Sequence, residues 1–188
     1  MAENKLANLH NIHFIGIGGA GMSALAYVLI KRGYDVSGSD LNAGHMSAHL
    51  AEEGAIVFMG HDACQVNDAD GVVISTAIHA NNPELVAAKK KGLPVLHRSD
   101  VLAALLNNAE GVAVAGAHGK TTTSAMISCI AVESGVDPTV VIGGEVASLG
   151  GNAINGAGPH VIAEADESDG SFLKFYPHLA VVTNIEDD

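Results

Sequence analysis

Val112-Ala-Val-Ala-Gly-Ala-His-Gly-Lys-Thr-Thr-Thr123 is the stretch on which the reading of this chain turns. Val112 to Ala115 form an apolar run suited to a buried strand, Gly116 and Gly119 bound a tight turn, and Thr122 to about Glu133 reads as a helix. Glycines at those two places let successive backbone N–H groups converge on a phosphate. The Lys120 ammonium offers a mobile charge to the outer phosphates of a nucleotide, and the Thr121 hydroxyl suits a bound Mg²⁺. The N-terminus of the helix points its partial positive charge at the same spot. Gly116, Ala117, His118, Gly119, Lys120, Thr121 and Thr122 are therefore the candidate nucleotide-binding residues. A full lysine-type phosphate loop has glycine where this chain has Val114, so a plain glycine turn with an exposed lysine also fits. The strand before the turn and the helix after it favour phosphate.

Upstream, the same strand–glycine–helix order appears in a second form. Ile12-His-Phe-Ile-Gly-Ile17 reads as a strand, Gly16, Gly18 and Gly21 satisfy G-x-G-x-x-G, and Met22 to Lys31 reads as a helix ended by Gly33. A second strand, Tyr34 to Gly38, runs into Ser39-Asp40, about 20 residues past the loop, where such folds place a ribose-binding carboxylate. The glycines recognise only a pyrophosphate near a helix N-terminus, so a nicotinamide dinucleotide and a nucleotide-sugar both fit.

The alternation continues. Met46 to Glu53 reads as a helix, Ala55 to Met59 as a strand, and Asp70 to Thr76 as a strand ending in the small hydroxyls of Ser75 and Thr76. Asn82 caps a helix with Pro83 at its first position, and Gly92 closes it. Leu93 to Leu96 is the next strand, and Ser99 is expected to cap a helix to about Leu106. Strands alternating with helices of this length imply a parallel sheet with right-handed crossovers, a Rossmann-like α/β domain with helices on both faces. The polar Asn107-Asn108-Ala109-Glu110 marks the expected boundary, giving domains over 1–106 and 107–188. Past the lysine loop come a strand, Thr139 to Ile142, a glycine- and asparagine-rich connection, Gly143 to Gly158, and two strands, His160 to Glu164 and Leu179 to Thr183.

Glu164-Ala-Asp-Glu-Ser-Asp169 places four carboxylates in six residues. Left alone they repel, so the segment is either a solvated acidic loop or one that meets a divalent cation. The lysine loop upstream favours a Mg²⁺–nucleotide site. His45 and His49 stand four apart on a helix without the glutamate of a zinc hydrolase motif, and read as surface residues. His118 is the histidine placed where chemistry is expected.

Composition narrows the class. The chain has 188 residues, 22 of them glycine, no Trp and a formal net charge of −12, which suits α/β architecture and argues against a nucleic-acid-binding face. Lys89-Lys90-Lys91 reads as cations at a helix C-terminus. Cys64 and Cys129 lack metal-type spacing, so a reducing compartment and buried thiols are expected. With no leader-like or membrane-spanning run, the expectation is a cytoplasmic protein without membrane contact.

Gly16-Ile-Gly-Gly-Ala-Gly-Met-Ser23, Ser37-Gly-Ser-Asp40, Ala115-Gly-Ala-His-Gly-Lys-Thr-Thr-Thr123, Glu164-Ala-Asp-Glu-Ser-Asp-Gly-Ser-Phe172 and Thr183-Asn-Ile-Glu186 together resemble the muramyl ligase family, over nearly the whole chain. The family's shortened loop accounts for Val114, and the second domain would be the start of a P-loop ATPase α/β domain. The resemblance implies a UDP-sugar diphosphate at the first loop, among Gly16, Gly18, Gly19, Gly21, Met22, Ser23, Ser39, Asp40, Ser75, Thr76 and Arg98. It implies catalytic roles for Lys120 and Glu164, and a Mg²⁺ held by Thr121 and Glu164.

The implied reaction belongs to peptidoglycan precursor synthesis. ATP phosphorylates the carboxylate of UDP-N-acetylmuramate, and the amine of L-alanine attacks the acyl phosphate, leaving ADP and phosphate. Gly-Gly-Ala-Gly-Met in the first loop favours the alanine-adding branch over the branch that recycles murein peptides. A UDP-sugar-binding module without catalysis stays open. A nicotinamide oxidoreductase leaves the lysine loop and acidic box unexplained. Family members continue the last motif as Thr-Asn-Ile-x-x-Asp-His, whereas this sequence stops at Asp188. The expectation is a catalytically incomplete N-terminal fragment that self-associates through an uncovered strand edge.

Overall fold

The structure is a computed structural model that describes residues 5–42, 44–166 and 170–186. Backbone contacts divide the chain into two compact units, which meet in sequence at Val101 and Leu102.

The first unit is a five-stranded parallel sheet in the order β3-β2-β1-β4-β5. Its strands are β1 (Asn11–Ile15), β2 (Asp35–Asp40), β3 (Ile56–Met59), β4 (Gly71–Ile74) and β5 (Val95–His97). Between them run α1 (Ala20–Lys31), α2 (His45–Glu52) and α3 (Pro83–Lys90). The central β1 is buried from Ile12 to Ile15, as expected of a parallel strand covered on both sides. Each fully buried Ile, Leu or Phe there contributes about 1.5–3 kcal/mol relative to an exposed side chain. Gly38 of β2 lies so close beneath the first loop that a Cβ would overlap Ile17 and the Phe14 carbonyl. Asn82 caps α3 as expected: its Oδ1 accepts from Glu84 N at 2.9 Å and Leu85 N at 3.1 Å, with Pro83 at the first helical position.

Two local expectations fail. The next helix, α4 (Arg98–Asn107), is not capped by Ser99, which lies inside its first turn. The Asp100 carboxylate reaches back to accept from His97 N at 2.9 Å, and the His97 ring accepts from Ser99 N, so a carboxylate and an imidazole do the hydroxyl's work. The thiols are not both buried either. Cys64 is exposed on a 3₁₀ turn and Cys129 half-buried, both free.

The second unit has β6 (Glu110–Ala115), α5 (Lys120–Glu133), β7 (Thr139–Val146), β8 (Gly151–Ile154), β9 (His160–Glu164) and β10 (Leu179–Val182). Its sheet runs β10-β6-β9-β7-β8, parallel except for β8, which pairs antiparallel with β7. The stretch from Gly143 to Gly158 is thus not merely a connection. β7 continues through Gly143 and Gly144 to Val146, turns, and returns as β8. Glycine carries little strand preference of its own, and the pairing with β8 is what holds these residues extended. Val112, Val140, Ile142 and Ile162 form the core of the sheet, with Ala125, Ile127 and Ala131 of α5 packed against it.

Candidate functional site

Each unit presents one phosphate-type loop at the carboxyl edge of its sheet. In the second unit, β6 ends at Ala115, and α5 begins at Lys120 with Gly119 (φ 83°) at its N-cap. The loop between them is braced from outside. Thr183, just past β10, donates from its hydroxyl to the carbonyls of His118 at 2.6 Å and Ala115 at 3.2 Å. Gly116 has φ 131°, and any Cβ on it would overlap Thr183 Oγ1. The Lys120 ammonium folds over the loop onto the Gly116 carbonyl at 2.5 Å and the Ala117 carbonyl at 3.4 Å. His118 is exposed, its ring 3.5 Å from the Glu186 carboxylate. Thr121 and Thr122 are exposed on the first turn of α5.

The pairing of β6 with β9 sets Glu164 opposite Val114, at the same edge as the loop. Gly143 and Gly144 pass beside both candidate metal ligands. A Cβ on Gly143 would come 2.9 Å from Glu164 Oε2, and one on Gly144 would come 3.6 Å from Thr121 Cγ2. Glu164 Oε1 is buried and has no hydrogen-bond partner among the described residues. A carboxylate oxygen in that state calls for a cation or a donor. No group of three or more His, Cys, Asp or Glu that could hold a metal occurs among the described residues. One carboxylate and one hydroxyl beside a phosphate loop suit Mg²⁺, which takes few protein ligands and fills its shell with phosphate oxygens and water. Asp166 is half-buried nearby in sequence, while Glu167 and Asp169 of the acidic box lie outside the described residues.

In the first unit, Gly16 N and Ile17 N both donate to the Ser39 carbonyl, at 2.8 and 3.0 Å, and Gly18 N donates to the Asp40 carboxylate at 2.9 Å. Gly19 N donates back to the Gly16 carbonyl at 3.2 Å. The loop's own N–H groups are therefore largely engaged, and the donors left for an anion are the first N–H groups of α1, on Gly21 and Met22. The Arg98 guanidinium stands over them: a Cβ on Gly21 would come 3.4 Å from its Nη1. A cation at the positive end of a helix is unfavourable alone and becomes favourable around an anion. Ser75 is half-buried and Thr76 exposed after β4; Ile78, in the same turn, lies against Gly16.

Three residues expected around this ligand have their side chains withdrawn. Met22 and Ser23 are buried, and the Ser23 hydroxyl donates to the Ala20 carbonyl at 3.0 Å. Ser39 is fully buried, with its hydroxyl on Glu84 at 2.6 Å. Thr183 and Asn184 stand in the last of the motifs quoted above, but nothing local in the sequence points to their bracing of the lysine loop.

Residues 11–110, more than half of the chain, match the Mur ligase family, catalytic domain. The chain belongs to the Mur ligase family. Among the relatives it resembles, the UDP-N-acetylmuramate–L-alanine ligase of Thermosynechococcus vestitus is 52% identical over 186 residues, 96% of this chain and 39% of that protein. The protein of the same name from Carboxydothermus hydrogenoformans is 50% identical over 187 residues, 99% of this chain and 40% of that one. Among solved structures, the UDP-N-acetylmuramate–alanine ligase of Thermotoga maritima superposes with a TM-score of 0.89 at 37% identity, covering 96% of this chain and 42% of that one. The UDP-N-acetylmuramate:L-alanyl-γ-D-glutamyl-meso-diaminopimelate ligase of Neisseria meningitides gives 0.87 at 32% identity, covering 96% and 62%. The chain thus spans about two fifths of the curated relatives' length.

Proposed function

We propose that this chain carries the UDP-N-acetylmuramate site and the ATP loop of a ligase that joins L-alanine to the muramoyl carboxylate, forming ADP and phosphate. The observation that carries the reading is the presence of two phosphate-type loops of different make in one chain. The second has a lysine and a buried carboxylate oxygen without a partner among the described residues, which suits a donor triphosphate with Mg²⁺. The first has an arginine over a helix N-terminus and, among the described residues, no such carboxylate, which suits a bound diphosphate. The relatives about half identical to this chain bear the name of the alanine-adding enzyme, which favours that branch over murein-peptide recycling.

A carboxylate is a poor electrophile until it gains a leaving group, which is the reason for phosphorylating it before the amine attacks. Phosphoryl transfer is mostly positioning and charge neutralisation. Lys120 would release the Gly116 carbonyl and stabilise charge on the β/γ-phosphates. Thr121 and Glu164 would hold the Mg²⁺, which supplies further charge neutralisation on the phosphates. Arg98 with the Gly21 and Met22 N–H groups would hold the UDP diphosphate, and Asp40 would keep the loop in shape through Gly18. Domains over 1–106 and 107–188, a place in the cytoplasm and self-association through the edge strand β10 complete the reading. Among the described residues no helix is long and apolar enough to cross a membrane, and β10 leaves Leu179 and Val182 exposed.

Calorimetry on this chain tests the first site: UDP-N-acetylmuramate should bind, and NADH should not bind more tightly. ADP release that needs both UDP-N-acetylmuramate and L-alanine, measured on the whole protein containing these residues, tests the reaction. Release without alanine would sink it.

A further inference from the structure

The first unit buries a polar cluster that has no place in the chemistry above. Glu84, at the second position of α3, is 0% exposed, and its carboxylate points into the sheet. Oε2 accepts from the Ser39 hydroxyl at 2.6 Å and lies 2.9 Å from His61 Nδ1; Oε1 lies 3.3 Å from His13 Nε2. His13 is itself fully buried, and its Nδ1 meets the Ser37 hydroxyl at 2.8 Å. The α3 carboxylate thus gathers groups from β1, from β2 and from the turn after β3. His61 Nδ1 also lies 2.9 Å from the Ser39 hydroxyl, so the serine, the imidazole and the carboxylate form one closed set of contacts.

Burying a carboxylate costs several kcal/mol before its partners are counted, and an apolar side chain of similar volume usually serves stability as well or better. The cluster therefore asks for a reason beyond packing, and Ser39 provides one. Its hydroxyl donates to Glu84 and meets His61 Nδ1, while its carbonyl receives both Gly16 N–H and Ile17 N–H. The next residue, Asp40, holds Gly18 N–H. The Asn82 cap and Pro83 fix the first turn of α3, and so fix where the carboxylate stands.

We infer that Glu84 is a positioning residue for the diphosphate loop, acting through Ser39 to set the direction of the Gly16–Gly18 backbone. The inference rests on the reading of that loop as a nucleoside-diphosphate site. Glu84 touches no ligand; it holds the peptide that holds the loop.

The test is a double-mutant cycle of Glu84→Gln and Ser39→Ala in this chain. It is read by calorimetry with UDP-N-acetylmuramate and by amide exchange at Gly16 and Ile17. Each single variant should bind roughly tenfold more weakly, as follows from losing one charge-assisted bond. The double variant should bind no more weakly than the weaker single, because both remove the same link. Exchange at Gly16 and Ile17 should quicken in both variants, while amides of Val140 and Val141 in the second unit keep their protection. Lower stability with unchanged affinity and unchanged loop exchange would make Glu84 a packing residue only. Additive losses would overturn the route through Ser39. If Glu84→Gln fails to fold, Ser39→Ala decides alone, with unchanged affinity and exchange overturning the inference. If the parent chain does not bind the UDP-sugar, the loop reading fails, and loop exchange still judges the role of Glu84.

Discussion

The carboxamide of Asn184 closes on both backbone polar groups of His118. Its Oδ1 accepts from the His118 N–H at 3.0 Å, and its Nδ2 donates to the His118 carbonyl at 3.1 Å. The two residues are 66 positions apart, so the lysine loop is held by the end of a neighbouring strand and not by its own turn alone. A loop fixed before its ligand arrives loses less conformational freedom on binding.

Asn184→Ala should weaken ATP binding by about tenfold, since two bonds of roughly 0.5–1.5 kcal/mol each are lost. Affinity for UDP-N-acetylmuramate should stay as it was. Calorimetry with both nucleotides on one preparation checks this, and an equal fall for both would mean general unfolding rather than loss of the brace.

Gly116→Ala should destabilise the second unit by about 1–3 kcal/mol. The new Cβ would overlap the Thr183 hydroxyl, and φ at this position is 131°, which suits glycine. Denaturant unfolding followed by amide exchange should show the loss in β6 and α5, not in β1 and α1. A wild-type midpoint would refute the close approach.

Glu164→Gln separates function from stability. Mg²⁺ should raise the affinity of the parent chain for ATP and do so far less in the variant. The denaturant midpoint should not fall, because the substitution neutralises a carboxylate whose Oε1 is buried and has no partner among the described residues. An unchanged Mg²⁺ dependence would remove Glu164 from the metal site.

Gly18→Val should abolish UDP-sugar binding. Even a Cβ at this position comes 2.9 Å from Asp40 Oδ2, so the larger side chain displaces the carboxylate that holds Gly18 N–H and fills the approach to α1. ATP binding should persist. Unchanged affinity for the UDP-sugar would place the ligand elsewhere.

Acid should weaken the first unit through Asp70. Its exposed carboxyl is held below the usual carboxylate range, chiefly by the Asn11 N–H and then by the His10 N–H, with slight desolvation opposing them. A folded pKa below the unfolded one means stability present above the ordinary carboxylate value of about 4 and lost as pH falls through the folded value. Asp70→Asn should therefore be less stable at neutral pH and lose less on acidification. Urea midpoints at neutral pH and near pH 3 measure the difference, and parallel losses in both chains would contradict it.

Much of this protein was determined within short windows of sequence. Apolar runs followed by glycine turns and helical periodicity placed β1, α1, β6 and α5 with both loops, and Asn82-Pro83 placed the start of α3. Those features are local because turn chemistry and side-chain period are set by neighbours a few residues away. Only the tertiary structure decided that β8 returns antiparallel to β7, that Asp100 and not Ser99 serves the start of α4, and that Arg98 stands over Gly21. It alone joined Asn184 to His118 and Ser39 to Glu84, across 66 and 45 positions. Hydrogen bonds of that reach depend on which strands become neighbours in a sheet, and adjacency is settled when the whole chain packs, not by any one stretch of it.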